Sequence, residues 1–235
     1  MTSFDPSTRF ESAQQVVTRI TEHSLSSHPL LERIGQTADA GLLWLLIDNT
    51  YRGTSVHFAS WLASVTAVVE DDRARCLLAR QLNEEMGDGD VSRAHARLMT
   101  NFLAAIAPLR PEPLDRSWLE PGEELGRSLS RHYRSTDQYE ALATLMAGEI
   151  AAHQLIASVG TLLEPHLPRV DAAKLMWLTH HNEVEGDHAG ESLELAAFVP
   201  AEDETIRSVV KGAFGLHTAL WRSMDELLRI WSTRN

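Results

Sequence analysis

Glycine and proline in this chain fall mostly in short clusters between long stretches of helical periodicity. Those stretches are rich in Ala, Leu, Glu and Arg, which favour helices, whereas Gly and Pro interrupt them. We find no alternating apolar and polar pattern of the kind that predicts strands, and no internal repeat or low-complexity tract. The sequence therefore predicts an all-α fold of about seven to nine helices packed as a bundle, in a single domain over residues 1–235.

Breaks in the pattern set the expected helix boundaries. Gly53 is expected to interrupt one long apolar stretch, and the pair Pro121 and Gly122 is expected to split a polar segment at the periphery. The expected helices cover residues 10–25, 28–34, 41–51, 56–69, 71–85, 91–107, 114–132, 136–163, 170–197 and 202–233.

The charge and cysteine content exclude several classes of protein. The chain has 21 basic and 33 acidic residues, a net charge of −12 that repels nucleic-acid phosphates and anionic membranes. The single cysteine, Cys76, excludes an internal disulfide, a Cys-rich zinc site and an iron–sulfur cluster. Neither a signal peptide nor an apolar run long enough to span a membrane is expected, so we predict a cytoplasmic protein. Eleven histidines direct attention to metal ligands.

The first candidate metal motif lies in the segment 170–197. At about 100° per residue, Glu185 lies about 40° from His181 on a helix, and His188 about 20° to the other side. All three side chains therefore share one face, and two imidazoles with a carboxylate suit iron, manganese or zinc. The rise of about 10 Å from His181 to His188 fits two adjacent metals better than one. The alternative is a solvated polar face.

The second motif is Glu85 with His95. These residues are ten apart, so they could meet at one metal only if the helix unwinds between them. Gly87 and Gly89 make that unwinding inexpensive, since each glycine weakens a helix by about 1 kcal/mol. Asp88 is seven residues before His95 and would share its face in an unbroken helix. The alternative is a plain turn between helices.

The third motif is Glu149, which stands in an apolar, Ala- and Gly-rich segment. A carboxylate buried there without a partner would be costly, and a metal ion would satisfy it. His153 follows one turn later on nearly the same face. The alternative is that Glu149 is exposed while the small residues face inward.

In this order, the three motifs resemble those of the haem-oxygenase-like dimetal oxidases and oxygenases. The pattern is Glu-Glu-x-Gly-x-Gly-x5-His, then a lone Glu in an Ala/Gly-rich helix, then His-x3-carboxylate-x2-His. The spans of 54 residues from the first His to the lone Glu and 32 to the next His also match, and the resemblance covers roughly residues 30–235. Here the pattern is carried by Glu85, His95, Glu149, His181, Glu185 and His188.

The resemblance implies a bundle of about seven core helices and a non-haem di-iron cofactor with O2 as co-substrate. The six residues would be the metal ligands, with Glu149 as the bridge and no catalytic side chain beyond them. Some members take the first ligand seven residues before the His, here Asp88, but the two glycines favour Glu85. Some members also use a carboxylate from an earlier helix, for which Asp48 is the nearest acidic residue.

The resemblance also implies two kinds of reaction, both often found in natural-product biosynthesis. One is N-oxygenation of an amine towards a nitro or related product, which we favour. The other is oxidative C–C cleavage of a fatty acid or amino acid. A substrate carboxylate would be held by one of three arginines, Arg52, Arg131 or Arg134. Apolar walls are expected from Trp44, Phe58, Trp61, Met146 and Trp177.

Two other interpretations come from different classes of protein. A related branch of the fold contains thiamin-salvage hydrolases with a nucleophilic cysteine, a role open here only to Cys76. A helical binding protein without catalytic activity would carry the three motifs on its surface. For the enzyme we expect a small-molecule substrate and an external electron donor, and the acidic, helical chain is compatible with a homodimer.

Overall fold

The computed structural model describes residues 12–22, 25–171, 175, 177–178, 190 and 192–233. Regular structure within these ranges is helical and includes no strand, which confirms the all-α prediction. The α-helices are α1 (Ala13–Thr21), α2 (Pro29–Thr37), α3 (Ala40–Thr50), α4 (Phe58–Val68), α5 (Asp72–Glu85), α6 (His95–Ala105), α7 (Glu120–Tyr133), α8 (Gln138–Leu163) and α9 (Asp203–Ser232).

Short polar side chains fix the starts of several helices. The side chain of Ser12 accepts a hydrogen bond from a backbone N–H in the first turn of α1, and Asp39 does the same for α3. Asp71 and Asp137 each accept two such bonds, at the starts of α5 and α8. A cap of this kind stabilises a helix by about 1 kcal/mol, because it satisfies N–H groups that have no partner within the helix.

The long helices α8 and α9 pack along each other at the centre of the bundle. Gly212 permits their close approach, since a Cβ at that position would collide with the backbone carbonyl oxygen of Glu140 on α8. Residues 138–169 form the one helical stretch in the described ranges that is long and apolar enough to cross a membrane. Of its most apolar part 61% is buried, so the apolar character of this stretch is accounted for by packing in the core.

Helix α7 corrects the expectation of a peripheral segment over 114–132. A 3₁₀ turn, Arg116–Leu119, precedes it, and α7 then begins at Glu120 with Pro121 in its first turn. Leu125, Leu129 and Tyr133 on this helix are buried. The expected break thus falls directly before Pro121, because proline is tolerated in the first turn of a helix, where its missing N–H has no partner to lose. The expected peripheral position was wrong.

Gly53 marks a π-helical turn, Tyr51–Ser55, between α3 and α4. A Cβ at Gly53 would lie 2.6 Å from a methyl carbon of Leu125 and 2.9 Å from the carbonyl oxygen of Gly122. The glycine therefore allows this turn to pack directly on α7. Single π-helical turns of this kind occur frequently at functional sites.

Glu140 anchors a polar cluster where α7, α8 and α9 meet. Its carboxylate is buried and accepts hydrogen bonds from Lys211 Nζ at 2.7 Å and Ser135 Oγ at 2.8 Å, and lies 3.0 Å from His132 Nδ1. Burial alone would raise the pKa of this carboxyl, but the bonds from Lys211, Ser135 and His132 hold that pKa below its ordinary value. The cluster thus stabilises the bundle in its ionised form.

Replacing Glu140 with Gln should lower the free energy of unfolding by about 2 kcal/mol at neutral pH, since charge-assisted hydrogen bonds are lost. A carboxyl with a lowered pKa in the folded state contributes stability above its unfolded pKa, and that contribution disappears as pH falls through the folded value. Urea denaturation of both proteins should therefore give a constant difference near pH 7 that shrinks below about pH 4.5. A difference that grows on acidification would contradict this assignment.

Candidate metal centre

Glu85 and His95 meet although ten residues separate them. Glu85 is the last residue of α5 and His95 the first of α6. Glu85 Oε1 lies 2.8 Å from His95 Nδ1, and the two side chains are only 10% and 12% exposed. The structure thus brings a carboxylate and an imidazole together at the edge of the core.

The turn between the two helices is built on left-handed backbone conformations. Gly87 has φ +76°, Asp88 +55° and Gly89 +87°. A Cβ at Gly87 would also collide with the carbonyl oxygen of Asp90 and lie 2.7 Å from the amide nitrogen of Ala94. Glycine adopts such conformations without steric cost, so this turn provides the unwinding that the two glycines predict.

Asp88, the alternative first ligand, points away from this pair. Its carboxylate accepts a hydrogen bond from Asn83 Nδ2 at 2.9 Å and lies 3.9 Å from Arg93. The side chain is 49% exposed. The geometry therefore favours Glu85 over Asp88 as the carboxylate that acts with His95.

Glu149 is buried on α8, which excludes the interpretation of an exposed side chain. Gln81 Nε2 donates a hydrogen bond to Glu149 Oε1 at 2.5 Å. Gln81 lies one turn before Glu85, so α5 presents both side chains to the same region. His153, expected on nearly the same face as Glu149, is exposed instead. Sequence reasoning missed Gln81, although its spacing from Glu85 was a usable signal.

The third predicted motif, with His181, Glu185 and His188, lies outside the described residues. Within the described ranges, no three His, Cys, Asp or Glu side chains lie close enough together to hold one metal ion. The described candidates are therefore the Glu85–His95 pair and, separately, Glu149. Their assignment as ligands stays a prediction that depends on the third motif.

All three described candidates line one cavity of about 130 Å³. Hydroxyl groups border it at the π-helical turn, and the rest of the described lining is mainly apolar. Its walls include Phe58, Trp61, Phe102, Leu155, Val159 and Trp177. Of the five walls expected from sequence, Phe58, Trp61 and Trp177 line the cavity, whereas Trp44 and Met146 are buried elsewhere in the core.

None of the three arginines proposed to bind a substrate carboxylate lines this cavity. Arg52 Nε instead donates a hydrogen bond to Asp48 Oδ2 at 2.6 Å. That contact also accounts for Asp48, the proposed additional carboxylate, which is buried but is not part of the cavity wall. Arg131 and Arg134 contact Ser128 and Ser60, respectively. The expectation for the three arginines was wrong, because the charge of a residue does not show where its side chain points.

Tyr133 is a member of the site that sequence reasoning missed. It is buried at the end of α7 and lines the cavity beside Glu149. Gly148 makes room for it, since a Cβ there would collide with the Tyr133 hydroxyl. Burial and, secondly, the nearby charge of Glu149 raise the pKa of the phenol, so the side chain is neutral at physiological pH.

The helical bundle places two carboxylates and an imidazole around an apolar cavity, and carboxylate and imidazole are donor groups that suit a transition metal. The sequence profile of a family described as iron-containing redox enzymes matches residues 51–219. The chain belongs to this haem-oxygenase-like family. No curated protein matches the chain.

Three solved structures show the same fold. A domain of unknown function with a heme oxygenase-like fold from Shewanella denitrificans OS217 has a TM-score of 0.67 at 18% identity, covering 93% of this chain and 91% of its own. A CADD-like protein of unknown function from Nostoc punctiforme PCC 73102 has a TM-score of 0.69 at 12% identity. The match covers 95% of this chain and 96% of its own. A TenA homolog from Pseudomonas syringae pv. tomato str. DC3000 has a TM-score of 0.65 at 15% identity. The match covers 92% of this chain and 89% of its own.

The donor groups fit iron, the metal in the family's description. Carboxylate oxygen and imidazole nitrogen are ligands that suit iron, and here they are held at low exposure beside an apolar wall. Glu149 is buried with Gln81 as its hydrogen-bond donor, which orients the carboxylate. Such an environment is typical of a ligand that is fixed by a neighbouring side chain.

Replacing Gln81 with Leu should weaken Fe(II) binding by roughly tenfold, because the bond that orients Glu149 is lost. Fe(II) affinity can be measured anaerobically by competition with a chromogenic chelator. Gln81→Asn, which retains an amide on a shorter side chain, should recover part of the affinity. Equal affinity in the wild type and Gln81→Leu would show that Gln81 only fills space.

Proposed function

We propose that this protein is an O2-dependent di-iron oxidoreductase that oxidises a small, largely apolar amine. The observation that carries the proposal is the arrangement of the Glu85–His95 pair and buried Glu149 around a single apolar cavity. Two irons would be held by these side chains together with His181, Glu185 and His188. Bound iron supplies one-electron and O2 chemistry, which no side chain of the protein provides on its own.

The protein's own contribution is orientation and exclusion of water. The hydrogen bond from Gln81 to one carboxylate oxygen of Glu149 holds the whole carboxylate group in one orientation. Large apolar side chains line the space in which a substrate would lie, and a dry site protects a reactive oxidant from side reactions. Tyr133 remains a neutral phenol beside Glu149 and adds no further negative charge.

The cavity wall favours an amine over an acid as substrate. In the described part of the lining the ionisable groups are acidic side chains, His95 and Tyr133, with no Lys or Arg. The carboxylates would attract an amine as its ammonium ion, and the apolar wall together with metal bound at those carboxylates would favour loss of its proton, which frees the nitrogen lone pair for oxidation. A carboxylate would meet negative charge unless the metals neutralised it. N-oxygenation is therefore the reaction that we favour.

The proposal is tested by single-turnover incubation of the Fe(II)-loaded protein with ¹⁸O2 and a panel of alkyl and aryl amines. We expect mass spectrometry to find ¹⁸O on the nitrogen of at least one amine, with none in metal-free protein. The matched panel consists of carboxylic acids with the same carbon skeletons. Oxidation of acids alone, with loss of one carbon, would replace the amine proposal with oxidative C–C cleavage.

Oxidative cleavage of a fatty acid is the second candidate, and the apolar residues of α8 favour it. Leu155, Ile156 and Val159 continue the cavity wall along this helix and would pack against an alkyl chain. The hydrolase interpretation has no such support, since Cys76 is exposed and does not line the cavity. The TenA homolog is similar in fold alone.

A further inference from the structure

Three aromatic rings stack in a continuous row beside the cavity. The rings of Tyr133 and Trp61 are nearly parallel, with their planes 8° apart and their centroids 4.7 Å apart. The rings of Trp61 and His57 follow at 5.2 Å and 29°. Tyr133 and Trp61 come from different helices, α7 and α4, so the stacking is a tertiary contact.

The two ends of this row lie in different environments. Tyr133 is 2% exposed and lines the cavity beside Glu149, whereas His57 is only partly buried at the start of α4. Trp61, between them, is fully buried. Its indole nitrogen donates a hydrogen bond to Ser130 Oγ at 3.0 Å, which fixes the plane of the ring. The row therefore connects the cavity to the surface through side chains that are held in place.

Other aromatic contacts in the described residues lack this connection. Phe102 and Trp177 stack with their ring centroids 5.2 Å apart, but both are buried, so this pair does not lead to the surface, and phenylalanine is not readily oxidised. The ring centroids of Trp118 and Trp231 lie 5.1 Å apart, but neither residue lines the cavity. Of these three groups of rings, only the row of Tyr133, Trp61 and His57 contains oxidisable rings and also runs from the cavity towards solvent.

We propose that Tyr133 and Trp61 carry single electrons from the protein surface at His57 to an oxidant in the cavity. This inference rests on the proposed function, because the oxidant is the one formed from O2 at the iron site. It assigns to Tyr133 and Trp61 a redox role beyond binding the substrate. The path would reduce an oxidant that forms when no substrate is present.

The steps balance in electrons and protons. Tyr133 gives one electron and its phenolic proton to the oxidant, which is reduced by one electron and protonated. Trp61 returns one electron to the Tyr133 oxygen, and a proton from the cavity restores the phenol. Trp61 is then oxidised by one electron, and its indole N–H still donates a hydrogen bond to Ser130. An external one-electron reductant at the His57 surface supplies that electron, so the rings end unchanged.

A macromolecular reductant can test the path because it cannot enter the cavity. Reduced cytochrome c is such a donor, and as a basic protein it suits a chain with a net charge of −12. Fe(II)-loaded protein without substrate is mixed with O2 and reduced cytochrome c, and oxidation of the cytochrome is followed by absorbance. Samples frozen during the reaction are examined for tyrosine radicals by electron paramagnetic resonance, and iron content and iron oxidation are measured in parallel.

We expect Trp61→Phe to slow cytochrome oxidation several-fold and to prolong a tyrosine radical that Tyr133→Phe abolishes. Trp118→Phe, which alters a stacked tryptophan away from the cavity, should behave like the wild type. If Trp61→Phe does not fold, His57→Leu tests the outer end of the path and should also slow the cytochrome reaction. Iron content is measured for each variant, and the rates of cytochrome oxidation are compared per bound iron.

Equal rates of cytochrome oxidation in the wild type and the folded variants, with iron oxidised normally in all of them, would overturn the path and leave the proposed function intact. A tyrosine radical that persists in Tyr133→Phe would also overturn it, since the radical would lie on another tyrosine. Protein that binds no iron would overturn the proposed function and the path together.

Discussion

Replacing Glu149 with Gln should remove nearly all iron that survives desalting of protein loaded with Fe(II). Glu149 is buried and cannot be replaced by water as a negatively charged ligand, whereas an amide is a poor ligand for iron. The glutamine has almost the same shape and can still bond to Gln81, so the metal-free protein should be about as stable as the wild type. Iron is measured by a colorimetric assay and stability by thermal unfolding.

A matched control for this prediction is Glu164→Gln. Glu164 follows directly after α8, is exposed and does not line the cavity. Its replacement removes the same charge from the same region of the chain and should leave iron content unchanged. Full iron content in Glu149→Gln would remove Glu149 from the ligand set.

Replacing Gly87 with Ala should destabilise the protein strongly although it adds only one methyl group. Two costs add at this position, a left-handed φ of +76° and a collision of the new Cβ with Asp90. Together they should lower the free energy of unfolding by about 3 kcal/mol. Because the turn brings Glu85 to His95, iron affinity should fall as well. Urea denaturation and chelator competition measure the two effects.

Gly89→Ala separates the two costs. Gly89 has a similar φ of +87°, but a Cβ there would meet no atom within 4 Å. Only the conformational cost remains, so the loss of stability should be about 1 kcal/mol and iron affinity should stay near that of the wild type. Equal losses in the two variants would mean that the packing of Gly87 does not hold the turn.

Much of this fold and part of the site were predictable because the deciding interactions are local. Helical periodicity identified an all-α chain, and the two glycines before His95 identified a helix break. That break explains how residues ten apart come within 2.8 Å, which an unbroken helix forbids. Capping aspartates and positive φ values act within a few residues, so their effects are visible in sequence order.

Contacts between distant helices were not predictable in the same way. Tyr133 reaches the cavity because Gly148, on another helix, has no side chain, and neither residue indicates this alone. The burial of α7 likewise depends on close contact with the π-helical turn at Gly53. Arg52 was a reasonable candidate for binding an acid until the structure paired it with Asp48. Each of these outcomes depends on packing between segments far apart in sequence.

Anaerobic titration with Fe(II), followed by exposure to O2, tests the central claim most directly. The account predicts binding of about two Fe(II) ions per chain, consumption of O2 with oxidation of the bound iron, and loss of both in Glu149→Gln. The third motif predicts the same loss in His188→Ala, although that residue is far from Glu149 in sequence. A wild-type protein that binds no Fe(II), or binds it equally well after Glu149→Gln, would contradict the account.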